Sequence, residues 1–168
     1  MASDPRNPSA ASPLFLREAE IRRGIELLFF GHAELMRSGD DILDAKTLGR
    51  AHHRALYFIA RKPGLAVGEL IALLGVTKQS LGRTLGELDE RGLITRERGQ
   101  RDRRQVLIRL TADGETLETE LFAAFRERMI AAYGEAGPNA VTGFWAVLEK
   151  LLTDDMRDRA SDLARAPR

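Results

Sequence analysis

At 168 residues, 43% hydrophobic and 30% charged, with six prolines, the chain is long enough for one domain with a real core and too apolar for a disordered segment. It contains no cysteine, which excludes disulfides, thiolate metal sites, thiol nucleophiles and cysteine-based redox sensing. The net charge of +1 hides a segregation: residues 76–110 carry +4 and residues 111–162 carry −6, so a polyanion is drawn to one end and repelled from the other.

The first 13 residues, MASDPRNPSAASP, are rich in Pro, Ser and Ala and lack an apolar run, which predicts a flexible tail rather than a signal peptide. No stretch of 18 apolar residues occurs, so a membrane span is not expected and a cytoplasmic location is. Over residues 14–38, Ile21, Ile25, Leu28 and Leu35 recur at helical spacing. Residues 38–41 form a turn whose acids favour a following helix, predicted over residues 44–61 and stopped by Pro63 and Gly64. A short helix over residues 67–74 ends at Gly75, suited to the left-handed position past a helix end. Thr77 caps the next helix, with Val76 and Leu81 placed to clasp its first turn; it runs to Arg91 and ends at Gly92.

Two strands follow, residues 93–98 and 106–110, around a tip at residues 99–103, with Val106, Ile108 and Leu110 alternating toward the core. Thr111 caps a further helix, where Asp113 and Glu115 suit the first turn and Leu117, Leu121, Phe125 and Met129 recur every four residues. Gly134 to Pro138 breaks it. The last helix carries Val141, Phe144, Trp145, Leu148, Leu151, Leu152 and Met156, a stripe wider than one small domain covers, and apolar patches of that size mark association.

At 100° per residue, Leu81, Thr84, Leu85 and Leu88 share one side of the helix that starts at Thr77, and this side is buried. The opposite side centres on Gln79, Arg83 and Gly86, flanked by Ser80 and Gly82. Arginine pairs with guanine O6 and N7, and glutamine with adenine N6 and N7, in the major groove. Gly82 and Gly86 each cost about 1 kcal/mol relative to alanine inside a helix. Either they allow close approach to DNA or they admit a neighbouring helix. In the hairpin, Arg96, Arg98, Arg101, Arg103 and Arg104 stand against only Glu97 and Asp102. That density calls for an anion, and a narrow minor groove suits an arginine on a protruding loop. Asp102 is expected to pair with Arg104 and brace the tip.

These residues resemble the MarR family of winged helix-turn-helix transcription regulators, over about residues 20–155. The likeness rests on VTKQSLGRTLGELDERGLITR as recognition helix leading into a wing, on Asp102-Arg103-Arg104 as the D-x-R wing motif, and on Leu110-Thr111 with Gly114 as the LTxxG start of the next helix. It implies a mostly α fold with a small β-hairpin wing and N- and C-terminal dimerisation helices. Residues 14–168 then form one unit, with residues 14–43 and 137–164 as dimerisation helices around a DNA-binding core and connecting helix at 44–136. It also implies a homodimer on double-stranded DNA, with Ser80 and Arg83 in the major groove and Arg103 in the minor groove. The full expected contact set is Thr77, Lys78, Gln79, Ser80, Arg83 and Thr84 on the helix, and Arg98, Arg101 and Arg103 on the hairpin. Two-fold symmetry places operator half-sites about 34–36 Å apart. The paired glycines depart from the family pattern.

Similar proteins bind a small aromatic or anionic effector between dimer helices and winged domain, and Phe29, Phe30, His32, His53 and Tyr57 are the candidates here. Adjacent His52 and His53 point about 100° apart on a helix, so they do not share a metal, and no metal or cofactor is expected. No Gly-x-Ser-x-Gly, His-Glu-x-x-His or P-loop pattern is present, which argues against an enzyme. The rival reading is a winged helix that docks protein alone; its recognition face would be apolar or acidic.

Overall fold

The computed structural model describes residues 16–99 and 102–165. The expected N-terminal tail, the first helix's predicted start at Leu14 and the tip residue Arg101 lie outside the described residues. The chain falls into two units, Met1–Leu35 and Met36–Arg168. Most of α1 (Glu18–Arg37) belongs to the first; Glu18 and Glu20 sit in its first turn and Arg37 in its last, matching the helix dipole. None of its residues is buried.

The second unit runs α2 (Asp40–Ala45), α3 (Arg50–Arg61), β1 (Leu65–Ala66), α4 (Val67–Leu74), α5 (Lys78–Glu90), β2 (Ile94–Arg98), β3 (Val106–Leu110), α6 (Ala112–Ala136), α7 (Pro138–Leu151) and α8 (Asp154–Arg165). Its sheet is antiparallel in the order β1-β3-β2. Leu56 and Ile59 of α3, Leu70 of α4, Leu81, Leu85 and Leu88 of α5, Ile108 of β3, and Leu117 and Leu121 of α6 are all 2% exposed or less and share one core with Leu65 of β1. The fold is the mostly helical winged helix-turn-helix that the sequence predicts.

Four details differ from the sequence expectation. The helix predicted over residues 44–61 is two helices: the chain reverses at Thr47, where φ is +54°, so that Leu43 and Leu48 are both buried. A β-branched residue is strained in that left-handed region, and the turn is held by hydrogen bonds from Thr47 N–H to the Asp44 carbonyl (2.9 Å) and Leu48 N–H to the Leu43 carbonyl (2.9 Å). The final helix also breaks, at Leu152, whose ψ of 142° is extended; Thr153 then opens α8 by accepting from the Met156 N–H. The wing hairpin gains a third strand, β1, pairing Leu65 with Ile108. Along β3 only Ile108 is fully buried, Leu110 is half-buried, and Val106 is 38% exposed because it lies toward the tip, past the end of the core.

The wing's base and the start of α6 meet at one junction. Thr111 N–H donates to the Leu93 carbonyl (3.1 Å), Thr111 Oγ1 to the Gly92 carbonyl (2.7 Å), and Gly114 N–H to Thr111 Oγ1 (3.1 Å). A Cβ on Gly114 would collide with the Leu93 carbonyl oxygen, a backbone atom that moves only with its strand. Gly114→Ala is therefore expected to lower the unfolding free energy by about 1–3 kcal/mol or more, read as a reduced urea midpoint.

His53 is buried, stacks on Phe125 of α6 at 4.4 Å, and has a Nδ1 without a hydrogen-bond partner. Burial holds its pKa below the ordinary histidine value of 6.5. As pH falls, the unfolded chain takes up the proton first, so the ring's contribution to stability is present above 6.5 and lost below it. Glu118, whose pKa burial raises, acts with the opposite sign in the carboxylate range. Replacing the histidine (His53→Phe) keeps an aromatic face against Phe125 and removes the titration. Its stability relative to the parent protein should rise between pH 7.5 and pH 5.5 in urea titrations, and a constant difference would contradict this account.

Candidate nucleic-acid interface

α5 begins where Thr77, in extended conformation, caps it by accepting the Ser80 N–H at 3.2 Å. The preceding α4 ends at Gly75 in the left-handed region (φ +64°), which turns the chain sharply enough for α4 and α5 to form the helix-turn-helix. Arg54 of α3 donates to the Leu74 carbonyl (2.9 Å) and fixes the first of these helices from behind. Leu81, Leu85 and Leu88 then hold α5 in the core. Thr77, Lys78, Gln79, Ser80 and Arg83 are all exposed on its outward side. Thr84 is not with them: it is only 9% exposed, and its hydroxyl donates to the Ser80 carbonyl at 3.2 Å. It belongs to the apolar stripe, as the helical spacing requires, and is corrected out of the contact set.

Gly82 and Gly86 face open space; a Cβ on either would meet nothing within 4 Å. No helix of this unit packs there, so packing within the unit does not account for them.

Arg83 is tethered at one nitrogen. Its Nε donates to Glu87 Oε1 at 3.0 Å, and the other carboxylate oxygen, Oε2, lies 2.8 Å from His52 Nε2. His52 Nδ1 accepts the Gly49 N–H at 2.9 Å. The Arg83 guanidinium, and after it His52, hold the Glu87 carboxyl below the usual carboxylate range. Neither His52 nor Glu87 stands out in the sequence as functional. They are 35 residues apart, and no local pattern joins them.

The wing is closed by Gly99 N–H donating to the Gln105 carbonyl (2.9 Å) and Gln105 N–H to the Asp102 carbonyl (3.0 Å). Asp102 Oδ1 accepts the backbone N–H of Arg104 at 2.9 Å. The expected brace thus runs from the carboxylate to the main chain, an Asx turn, rather than to the Arg104 guanidinium. Arg98, Arg103 and Arg104 are exposed. Arg96, exposed as well, lies 3.3 Å from Asp89 of α5 and couples wing to recognition helix.

Of the effector candidates, the structure brings His53 and Tyr57 together, with ring centroids 6.4 Å apart. Phe29, Phe30 and His32 are exposed residues of α1. An open cavity of about 550 Å³, lined by Lys46, Thr47, Arg91, Asp113 and Glu120 among others, includes none of the five. Among the described residues no group of three or more His, Asp or Glu is placed to hold a metal ion, and no helix is long and apolar enough to cross a membrane.

Residues 46–105 match the family model of the MarR family. The chain is 48% identical over 155 residues to the HTH-type transcriptional regulator PetP of Rhodobacter capsulatus, covering 92% of this chain and 93% of the relative. Among solved structures, a mutant MarR from E. coli complexed with operator DNA aligns with a TM-score of 0.66 at 21% identity, over 80% of this chain and 96% of that one. NadR in complex with 4-hydroxyphenylacetate aligns with a TM-score of 0.67 at 24% identity, over 90% of this chain and 97% of the other. At these identities the two structures speak for the fold.

Proposed function

The chain belongs to the MarR family of transcriptional regulators, and from that premise we propose that it acts in the cytoplasm as a homodimeric repressor, occupying a pseudo-palindromic operator and so blocking polymerase. The observation that carries the reading is the outward side of α5. Its N-terminal half presents Lys78, Gln79, Ser80 and Arg83 on a helix whose other side is locked into the core. The pattern is polar and cationic, unlike the apolar or acidic face of a protein-docking winged helix. Arg83 and Gln79 suit base edges in the major groove, while Lys78 suits phosphate. Arg103, with Arg98 and Arg101, suits the minor groove and its phosphates, and Asp102 and Arg104 shape the tip between them.

Exposed apolar side chains support the dimer. On α1 they are Ile21, Ile25, Leu28, Phe29 and Phe30; on α7, which has no buried residue, they are Phe144, Trp145, Val147 and Leu151. Two-fold symmetry on DNA follows from pairing such surfaces. Release by a small aromatic or anionic effector is supported by the aromatic side chains of His53 and Tyr57, and by those of Phe29, Phe30 and His32 on α1. The unpartnered Nδ1 of His53 is a polar atom that such a ligand would satisfy.

Duplexes recovered from a random pool by the wild-type protein provide the test, with affinities read by fluorescence anisotropy. Arg83→Ala should lose about 1–3 kcal/mol at one base-pair position and relax preference there. Arg103→Ala should weaken binding evenly across sequences, and affinity should fall steeply with salt as phosphate contacts release counterions. Undiminished operator affinity in both variants would refute the contact assignment.

Gly82→Ala separates folding from binding. Filling open space on a helix should raise the unfolding free energy by up to about 1 kcal/mol, whereas a methyl group between helix and duplex should weaken operator binding. A variant that is both more stable and equally tight on DNA would show that the glycine serves no close approach.

A further inference from the structure

We infer that His52 and Glu87 are positioning residues for operator discrimination: together they hold the Arg83 guanidinium in the one orientation that reads its base pair. This rests on the reading of Arg83 as a base contact.

Hydrogen-bond direction settles the roles. A ring nitrogen that accepts a hydrogen bond carries no proton, and His52 Nδ1 accepts the Gly49 N–H at 2.9 Å. The neutral ring's proton is therefore on Nε2, which donates to Glu87 Oε2 at 2.8 Å. That leaves Oε1 to receive Arg83 Nε at 3.0 Å. The chain of contacts starts at the backbone that opens α3 and ends at the Nε of an arginine whose side chain is 85% exposed.

An arginine so exposed otherwise samples many rotamers, and each is lost on binding. A tether at Nε removes that freedom beforehand and leaves both terminal nitrogens available, the pair of donors that meets guanine O6 and N7 end-on. An isolated surface pair of this kind holds a side chain weakly, and an arginine four residues before a glutamate is the less favourable order on a helix. Here the carboxylate is itself fixed by a ring whose side chain is only 11% exposed, so the tether has a rigid foundation.

Glu87 also brings a negative charge to the side that faces DNA. Against phosphates this charge weakens binding to every sequence. At the correct base pair, orientation of Arg83 outweighs it. Removing Glu87 thus shifts the two affinities in opposite directions and narrows the gap between them, whereas a role in folding alone lowers both.

The test uses the full-length protein and three probes: a duplex selected by the wild type from a random pool, the same duplex with the Arg83-dependent base pair replaced, and a scrambled duplex of equal composition. Glu87→Ala, at a partly exposed site, should reduce discrimination between the first two roughly tenfold while binding the scrambled duplex as tightly as wild type or more so. The histidine variants separate donation from packing. In His52→Asn the short amide oxygen can still accept the Gly49 N–H but nothing reaches Glu87, so discrimination should fall. In His52→Gln the longer amide supplies a donor to Glu87, so discrimination should recover. Full discrimination in Glu87→Ala, alongside its loss in Arg83→Ala, would overturn the positioning role and leave the base contact standing. Parallel losses on all three duplexes, or equal behaviour of the two histidine variants, would overturn it as well. Discrimination intact in Arg83→Ala would instead remove the base-contact reading beneath it.

Discussion

Four side chains of α5, Leu81, Thr84, Leu85 and Leu88, determine which side of that helix meets water. They recur at intervals of three and four residues, and each is 9% exposed or less. Burying a leucine contributes about 1.5–3 kcal/mol, so any rotation of α5 about its own axis forfeits several such terms at once. At 100° per residue this places Gln79 and Arg83 diametrically outside. The orientation of the polar face is therefore a consequence of apolar burial on the reverse side, against Leu56 and Ile59 of α3, Leu70 of α4 and Ile108 of the sheet. Thr84 fits the stripe because a helix can satisfy its hydroxyl internally, through the Ser80 carbonyl one turn back.

Net charge overstates the cationic surface that the same region presents. Two arginines of the 76–110 segment are committed to structure. Arg91 clamps the carbonyls of Lys46 (2.7 Å) and Thr47 (3.1 Å), tying the end of α5 to the strained α2–α3 turn. Arg96 pairs with Asp89. Lys78 and Arg83 on the helix and Arg98, Arg103, Arg104 and Arg109 along the wing are exposed as well. A cationic patch on a rigid base spends less entropy on binding than the same charge on mobile loops.

Much of this was legible from residue spacing. The Thr77 cap, the left-handed Gly75, the leucine stripe and the hairpin each follow from chemistry confined to a few consecutive residues, and the structure has them where the sequence puts them. Several of the differences depend on partners distant in the chain. Residues 44–61 look helical throughout, yet the helix breaks at Thr47 and Leu43 and Leu48 on either side of the break are both buried. β1 is two residues long, too short for any alternation, and forms because β3 offers Gly64 and Leu65 a free edge. The link of His52 to Glu87 crosses from α3 to α5 and leaves no trace in either local pattern. The sequence predicts that Asp102 braces the wing, but that it does so through the Arg104 main chain depends on turn geometry rather than on composition.

Gly82 and Gly86 are the one place where local preference and observed structure remain at odds. Two glycines four residues apart weaken a 13-residue helix, and nothing packed in the unit exploits the missing side chains. They are not turn residues, and neither has a positive φ. Sequences generally agree with their fold at every level except where function imposes a conflicting demand. The conflict here falls on the outward half of the recognition helix, beside Arg83, in a segment whose other departures from helix-favouring chemistry are explained by the core or by the cap. A strip without side chains beside a tethered arginine is open to whatever approaches this side of the helix, and a Cβ at either position would meet nothing else in the unit.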